Sequence, residues 1–334
     1  MITYQYRLYN ALLTTNRTLP NLDLLAGTGA EWPLSVTLAE HTPAPDAWTS
    51  GPWQDYALRV PSQAFTVWRA PAPVGWAFRL GYGNQGYAAD FTIRSDCQAI
   101  WAGWQPRAIG AATTSELVSR LLAGPVVPYV LRLAGQIALH GAVVTTDKGG
   151  VAFVGPSGAG KSTLAATCAQ RGWATLADDV VVMTTKDGHY DAHPGPPNRH
   201  LWPSTLAALP EEGLHHPVVH PGTTKRHVDC TGPAAPAWSA FVRTAQPLYA
   251  IFLLEPFVDA GAVTSIERVQ AARALPLLLR NRYGLVDTPP EARSSEFRQL
   301  AALVEQAAVY RTIRPDRPDT HVELVELIQR VLGA

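Results

Sequence analysis

The chain has 334 residues, of which 47% are hydrophobic and only 16% charged, and its formal net charge is zero. That length allows one large domain or two ordinary ones around a true apolar core, and the absence of any basic run argues against a nucleic-acid surface. Three scattered cysteines, Cys97, Cys168 and Cys230, form no disulfide framework and fit a reducing cytoplasm. The start, Met1-Ile-Thr-Tyr-Gln-Tyr-Arg7, lacks a signal-peptide pattern. The most apolar stretch, 121–139, is interrupted by Gly124, Pro125, Pro128 and Arg132, so it is too broken to span a bilayer. The expectation is a cytoplasmic protein that neither crosses a membrane nor binds nucleic acid.

Residues 1–112 read as a smaller β-rich domain of unknown role. Apolar residues alternate at Tyr4/Tyr6/Leu8, Tyr56/Leu58/Val60, Trp76/Phe78/Leu80/Tyr82 and Phe91/Ile93, the period of half-buried strands. A small antiparallel module follows from that pattern. From residue 113 the signal changes. Thr113-Thr-Ser-Glu116 matches a capping box, Leu117, Leu121 and Leu122 share one helical face, and Gly124-Pro125 should end that helix. A second short helix is expected over Pro128–Leu133. A strand over Ile137–Val144 then turns at Asp147-Lys-Gly-Gly150 into another over 150–154.

That second strand opens onto Gly155-Pro156-Ser157-Gly158-Ala159-Gly160-Lys161-Ser162-Thr163, a complete G-x-x-x-x-G-K-[ST] phosphate-binding loop. Its glycines let the backbone curl round an anion. Lys161 can reach β- and γ-phosphates, and the Ser162 hydroxyl can ligate magnesium. A helix from Ser162 to Arg171, closed by Gly172, would aim its positive end at the phosphates.

Only sixteen residues separate Lys161 from Asp178-Asp179, room for one helix of roughly 15 Å and a return strand over 173–177. A right-handed crossover then delivers both acids beside the γ-phosphate. One carboxylate can serve a metal while its neighbour accepts a hydroxyl proton, the division that phosphoryl transfer to an alcohol needs. His140, at the end of Gln136-Ile-Ala-Leu139, can tune one of the two aspartates.

Beyond the acids, 180–183 continues extended to a turn at 186–189. Residues 189–224 read as loops with one short helix near 205–209, and 248–254 is a buried strand. Phe297, Leu300, Ala301, Val304 and Ala308 keep helical spacing, Tyr310–Ile313 is a strand, and Asp319 or Thr320 caps a last helix through Val331. Arg199, Lys225 and Arg226, and more weakly Arg280 and Arg282, are cations after the acids from which a clamp on a transferring phosphoryl group could come, solvated surface charge being the commoner reading. A zinc site among His215, His216, His220, His227 and Cys230 is disfavoured by Pro217, which prevents a helical ligand face.

The combination Leu139-His140-Gly141, the loop 155–163 and Gly172-Trp-Ala-Thr-Leu-Ala-Asp178-Asp179 resembles the catalytic domain of HPr kinase/phosphorylase over residues 140–183. More loosely, 115 to the end is similar to the HPr-kinase-related proteins of lasso-peptide biosynthesis. The shared features are Leu122-Ala-Gly-Pro-Val-Val-Pro-Tyr129, Arg199-His-Leu-Trp-Pro203, Lys225-Arg226 and Leu253-Leu254-Glu255-Pro256. The resemblance implies an α/β fold over 113–334, a P-loop kinase domain of the HPr kinase / PEP carboxykinase type. It also implies ATP and Mg²⁺, and phosphorylation of a serine on a precursor peptide, typically at its C-terminus.

Carried over by position, Lys161 holds phosphates, Ser162 and Asp179 the metal, and Asp178 the acceptor hydroxyl with help from His140; the two aspartates are interchangeable at this level. A Glu-Ile-Arg-Gly-like run, which supports phosphorolysis in that family, is absent, Asn198-Arg199-His200-Leu201 being the nearest stretch. The resemblance leaves a homo-oligomer open. Two other readings stand beside the peptide kinase: a kinase of a small hydroxy metabolite such as free serine, and a nucleotide-gated binding protein that transfers nothing.

Overall fold

The computed structural model describes residues 2–20, 22, 32–40, 44–57, 65–84, 87–106, 115–209, 216–219, 224–231, 235–284 and 290–333. The chain divides into two compact units, Met1–Gln136 with Gly284–Arg293, and Ile137–Tyr283 with Ser294–Ala334.

In the first unit, β1 (Tyr4–Leu8), β2 (Ala11–Thr15), β3 (Trp32–Glu40), β4 (Gln54–Ala57), β5 (Phe65–Pro71), β6 (Trp76–Asn84), β7 (Tyr87–Ile93) and β8 (Ala99–Pro106) form one sheet in the order β1-β2-β3-β8-β7-β6-β5-β4. The alternation that announces the strands has its cause here: Phe65 and Val67 are buried, while Thr66 between them and Trp68 after them are only partly covered. The antiparallel expectation holds only in part, because β2–β3 and β3–β8 pair in parallel. Parallel neighbours need long connections, and the spans before and after β3 supply them. Leu58 and Val60 lie outside the described residues.

Helices α1 (Ser115–Leu121) and α2 (Val127–Leu133) were expected to be separated at Gly124-Pro125. Instead a wide π-type turn over Leu122–Val126 carries the helical run through. Proline has no N–H to give, and the wider turn absorbs that missing bond without breaking the helix. Thr113, the first residue of the expected capping box, lies outside the described residues. Tyr129 of α2 sets its ring edge-on to Phe78, with centroids 6.4 Å apart.

The second unit is mixed α/β. It contains β9 (Ile137–Thr146), β10 (Gly149–Val154), α3 (Lys161–Gln170), β11 (Ala174–Ala177), β12 (Val180–Lys186), β13 (His189–Ala192), β14 (Asn198–Leu201), α4 (Pro203–Ala207), β15 (Arg226–Asp229), β16 (Gln246–Leu254), β17 (Ser265–Arg268), α5 (Ala271–Arg280), most of α6 (Pro290–Gln306), β18 (Ala308–Ile313) and α7 (Thr320–Leu332). β10 lies between antiparallel β9 and parallel β16, with parallel β18 beyond. One face of this sheet packs Leu139, Val143, Ala152, Ile251 and Leu253 against α5 and α6. The other packs Val144, Val151, Phe153, Phe252 and Leu254 against α3 and α7. Helices on both faces explain why β10 and the end of β16 read as unbroken apolar runs.

The proline- and histidine-rich stretch holds two strands, β13 and β14, where loops were expected. Four residues between prolines are too few for alternation to show, and the partner of β14 comes only after α4. Asp319 occupies the cap position of α7 but makes no capping bond, and the Thr320 hydroxyl turns back to Pro315 O at 2.6 Å. Ala308, expected on the helix, begins β18. Among the described residues no helix is long and apolar enough to cross a membrane.

Candidate functional site

The phosphate-binding loop starts where the fully buried β10 ends. Pro156, Ser157 and Gly158 are exposed, and the chain turns into α3 through Gly158 (φ +82°) and Gly160 (φ +78°), a left-handed backbone that glycine adopts without strain. A side chain at position 160 would come within 2.7 Å of His321 Nε2. Lys161 is the first residue of α3, buried, with its Nζ donating to Pro156 O at 2.7 Å across the loop. Ser162 and Thr163 are half-buried in the first helical turn, and the Thr163 hydroxyl is 3.0 Å from that of Thr205.

The crossover from β10 through α3 to β11 is present, with β9 between the two strands: both run antiparallel to β9 and so parallel to each other. The acids were expected at the end of a regular strand. In fact the edge beside β9 breaks between β11 and β12, and Asp178-Asp179 fills the break. Asp179 has φ +71°, a conformation few non-glycine residues hold, aspartate being among those that tolerate it. Its carbonyl accepts the Gly141 N–H at 3.2 Å and lies 3.0 Å from His140 Nδ1. A carbonyl can only accept, so Nδ1 carries the imidazole proton and Nε2 keeps its lone pair. A Cβ at Gly141 would lie 2.8 Å from both Phe153 O and Val181 Cγ2, which gives the His-Gly step its physical reason. The His140 carbonyl accepts the Gly155 N–H at 3.4 Å, joining this strand to the loop.

The two carboxylates differ. Asp178 is buried; its Oδ2 accepts the His200 N–H at 3.2 Å, and its Oδ1 has no hydrogen-bond partner. The Asp179 side chain is 39% exposed, with Oδ1 3.5 Å from His140 Nδ1. His140 was expected to tune one of the two aspartates, and its contacts are to Asp179. Burial pushes the Asp179 carboxyl up, but His140, His200, Lys225 and Lys161 together hold it below the usual carboxylate range. Burial lowers the His140 imidazole despite the pull of Asp179, leaving it neutral at pH 7. Burial also brings Lys161 down to about 8, opposed by Asp179 and Asp178 and assisted by Lys225 and Arg314.

The Lys161 value sets a pH dependence. An anion bound to the ammonium raises its pKa, so binding above about pH 8 must take up a proton. Nucleotide affinity is therefore expected to be level near pH 7 and to weaken by up to about tenfold per pH unit above 8. Titration of a fluorescent ATP analogue between pH 6.5 and 9.5 measures this, and a flat profile would remove Lys161 from the anion contact.

Of the other cations, Lys225 acts on His140, Lys161 and Asp179. Arg199 does not join them. It is fully buried, bonded to the Thr175 hydroxyl, 5.3 Å from the Trp238 ring and beside the Cys230 thiol, none of which belongs to the loop or the acid pair. Arg226 reaches His216 O at 3.5 Å, and Arg282 pairs with buried Glu296 at 3.1 Å. His215 and His220 lie outside the described residues, and among those described no group of three His, Cys, Asp or Glu is arranged to hold a metal.

Sequence reasoning missed Arg314 and His321. Arg314 is fully buried beneath the loop, donating to Ala159 O at 2.5 Å and to Glu255 O, with its guanidinium 4.5 Å from the Phe257 ring centroid. Burial lowers it to about 10, and burial with the nearby Arg314 lowers His321 to about 4. The available signal was topological: β18 is parallel to β16 and β10, so its C-terminal end, just before Arg314, comes out at the loop edge.

A family model described as "ScmC: SynChlorMet cassette protein ScmC" matches residues 111–210, the stretch that carries the loop, the His-Gly step and the acid pair. No curated protein matches the chain. Among solved structures, the chain is similar to the Hpr(Ser) kinase/phosphatase from Coxiella burnetii, at 12% identity over 59% of this chain and 96% of that one, with a TM-score of 0.29. A TM-score that low is too weak to carry the fold assignment.

Proposed function

We propose that this chain is an ATP- and Mg²⁺-dependent kinase that transfers the γ-phosphoryl group to a serine or threonine hydroxyl of a peptide, with a lasso-type precursor as the leading acceptor. The observation that carries this reading is the convergence of Lys161 with Asp178 and Asp179 at the break between β11 and β12. The motif spacings support a second unit of the HPr kinase / PEP carboxykinase type.

The residues present fit such a ligand pair. The loop amides and Lys161 bind the phosphates, and Gly158, where an added Cβ would meet nothing within 4 Å, borders open space. Ser162 and Asp179 would hold Mg²⁺ together with phosphate oxygens, the ion being one that takes few protein ligands beside substrate phosphates. When bound, the ion offsets phosphate charge. Asp178 Oδ1, buried and unpartnered, accepts the hydroxyl proton as the acceptor oxygen attacks. Asp179 stays ionised across the neutral range, and the Nδ1–H of His140 orients the break that holds it.

The test is incubation with MgATP and the peptides encoded beside this chain, followed by mass spectrometry. The expected product is one phosphoryl group on a serine or threonine. Nucleotide binding with no phosphorylated peptide would sink the reading, and phosphorylated free serine would move the acceptor to the small-molecule class.

A further inference from the structure

β14 and β15 stand apart from the main sheet as a two-stranded ribbon. The register sets Asn198 opposite Asp229, Arg199 opposite Val228, His200 opposite His227 and Leu201 opposite Arg226. Side chains alternate along a strand, so the ribbon has two unlike faces. Leu201 and Val228 pack on Ala166 and Ala169 of α3 and on Trp238. The opposite face carries His200 and His227, with ring centroids 5.6 Å apart, and one step further Trp202 and Lys225, with the ammonium 5.2 Å from the Trp202 ring centroid.

This second face adjoins the acids. The His200 N–H donates to Asp178 Oδ2 at 3.2 Å, and both His200 and Lys225 act on Asp179. Trp202 is 44% exposed, a large aromatic surface left in solvent beside the transfer site. Among the described residues of the ribbon the one carboxylate on this face is Asp229, at the far end, where it accepts the N–H and hydroxyl of Thr231. The face is therefore an aromatic shelf with a cation stacked on it at the end nearer the acids, and its carboxylate at the other end.

Building on the kinase reading above, we propose that this face of the ribbon is the acceptor subsite, and that it selects peptides carrying a carboxylate next to the reacting serine or threonine. Lys225 pairs with that carboxylate, and Trp202 packs against the flanking side chain. The strand geometry then holds the hydroxyl toward Asp178 Oδ1. An acidic acceptor would otherwise be repelled by Asp178 and Asp179, so the cation is what makes such a peptide acceptable. The carboxylate can come from an acidic side chain or from the peptide's own C-terminus.

The experiment uses the full chain with Mg²⁺ and a non-hydrolysable ATP analogue. Fluorescent serine peptides carry either Glu or Gln beside the serine and end in either a free acid or an amide, and binding is read by anisotropy. The expected result is at least about tenfold tighter binding of peptides with a carboxylate, diminished at high salt. Lys225→Glu should reverse the order, and Trp202→Ala should weaken acidic and neutral peptides alike. A preference that follows Glu assigns the side chain as the source, and one that follows the free acid assigns the chain end.

Equal affinity for all four peptides, or a preference that survives Lys225→Glu, overturns the subsite. Should Lys225→Glu fail to give a folded protein by thermal melting, Lys225→Gln replaces it, and the preference must then vanish rather than reverse. If the carboxylate preference is present but no peptide is ever phosphorylated, the subsite stands and the kinase reading falls.

Discussion

Replacing Lys161 with alanine is expected to lower peptide phosphorylation by about a thousandfold or more while leaving the fold intact. The side chain is buried, and its one recorded hydrogen bond is to the loop's own Pro156 carbonyl. Its pKa is depressed, which means that burial outweighs the support of Asp179 and Asp178 and the folded state on balance disfavours the charge. Alanine is also the best helix former, at the first position of a ten-residue helix. The melting temperature of Lys161→Ala should thus equal or exceed that of the parent. Transfer retained within tenfold would show that the loop does not hold the reacting phosphates.

Asp178→Asn and Asp179→Asn should fail in different ways. Asp178 presents a buried, unpartnered oxygen, so its amide should abolish transfer by a similar factor yet bind MgATP within about threefold of the parent. Asp179 is the more exposed acid and lies beside Lys161, so its amide should weaken Mg²⁺-dependent nucleotide binding by about tenfold or more. Asparagine tolerates the left-handed backbone at 179, so the break itself should survive. A second readout separates metal binding from mere packing. The Asp179 carboxylate raises the His140 pKa, so in Asp179→Asn the imidazole should titrate at still lower pH by NMR. Loss of nucleotide in Asp178→Asn with retention in Asp179→Asn would exchange the two roles.

Much of this site was legible in the chain order because its parts are local. Fixed spacing alone announces the loop, and the sixteen-residue gap to Asp178 leaves space for only one helix and one strand. His140 was legible for the same reason, lying on the strand that must hairpin into β10. The break at the acids was not. A left-handed residue in the middle of an apolar run changes no composition, and it is recognisable only when Gly141 and His140 are seen bonding to the Asp179 carbonyl. Arg199 misled because a cation in an expected loop looked available. Four residues of β14 alternate, and their pairing with β15 turns that side chain into the packing against α3 while its neighbour His200 takes the opposite side.

The amino-acid sequence by itself determined the longer alternating strands from their period, the anion cradle from its glycines, and the arrival of two acids beside it from chain length. Tertiary structure alone decided which acid is buried, which histidine partner it has, and which distant cations converge. Arg314 reaches the loop only because β18 adds in parallel beyond β16, and Lys225 reaches the acids only because β15 pairs with β14. The physical reason is one of range. Backbone conformation and periodicity are set by neighbours along the chain, whereas burial and electrostatics are set by neighbours in space.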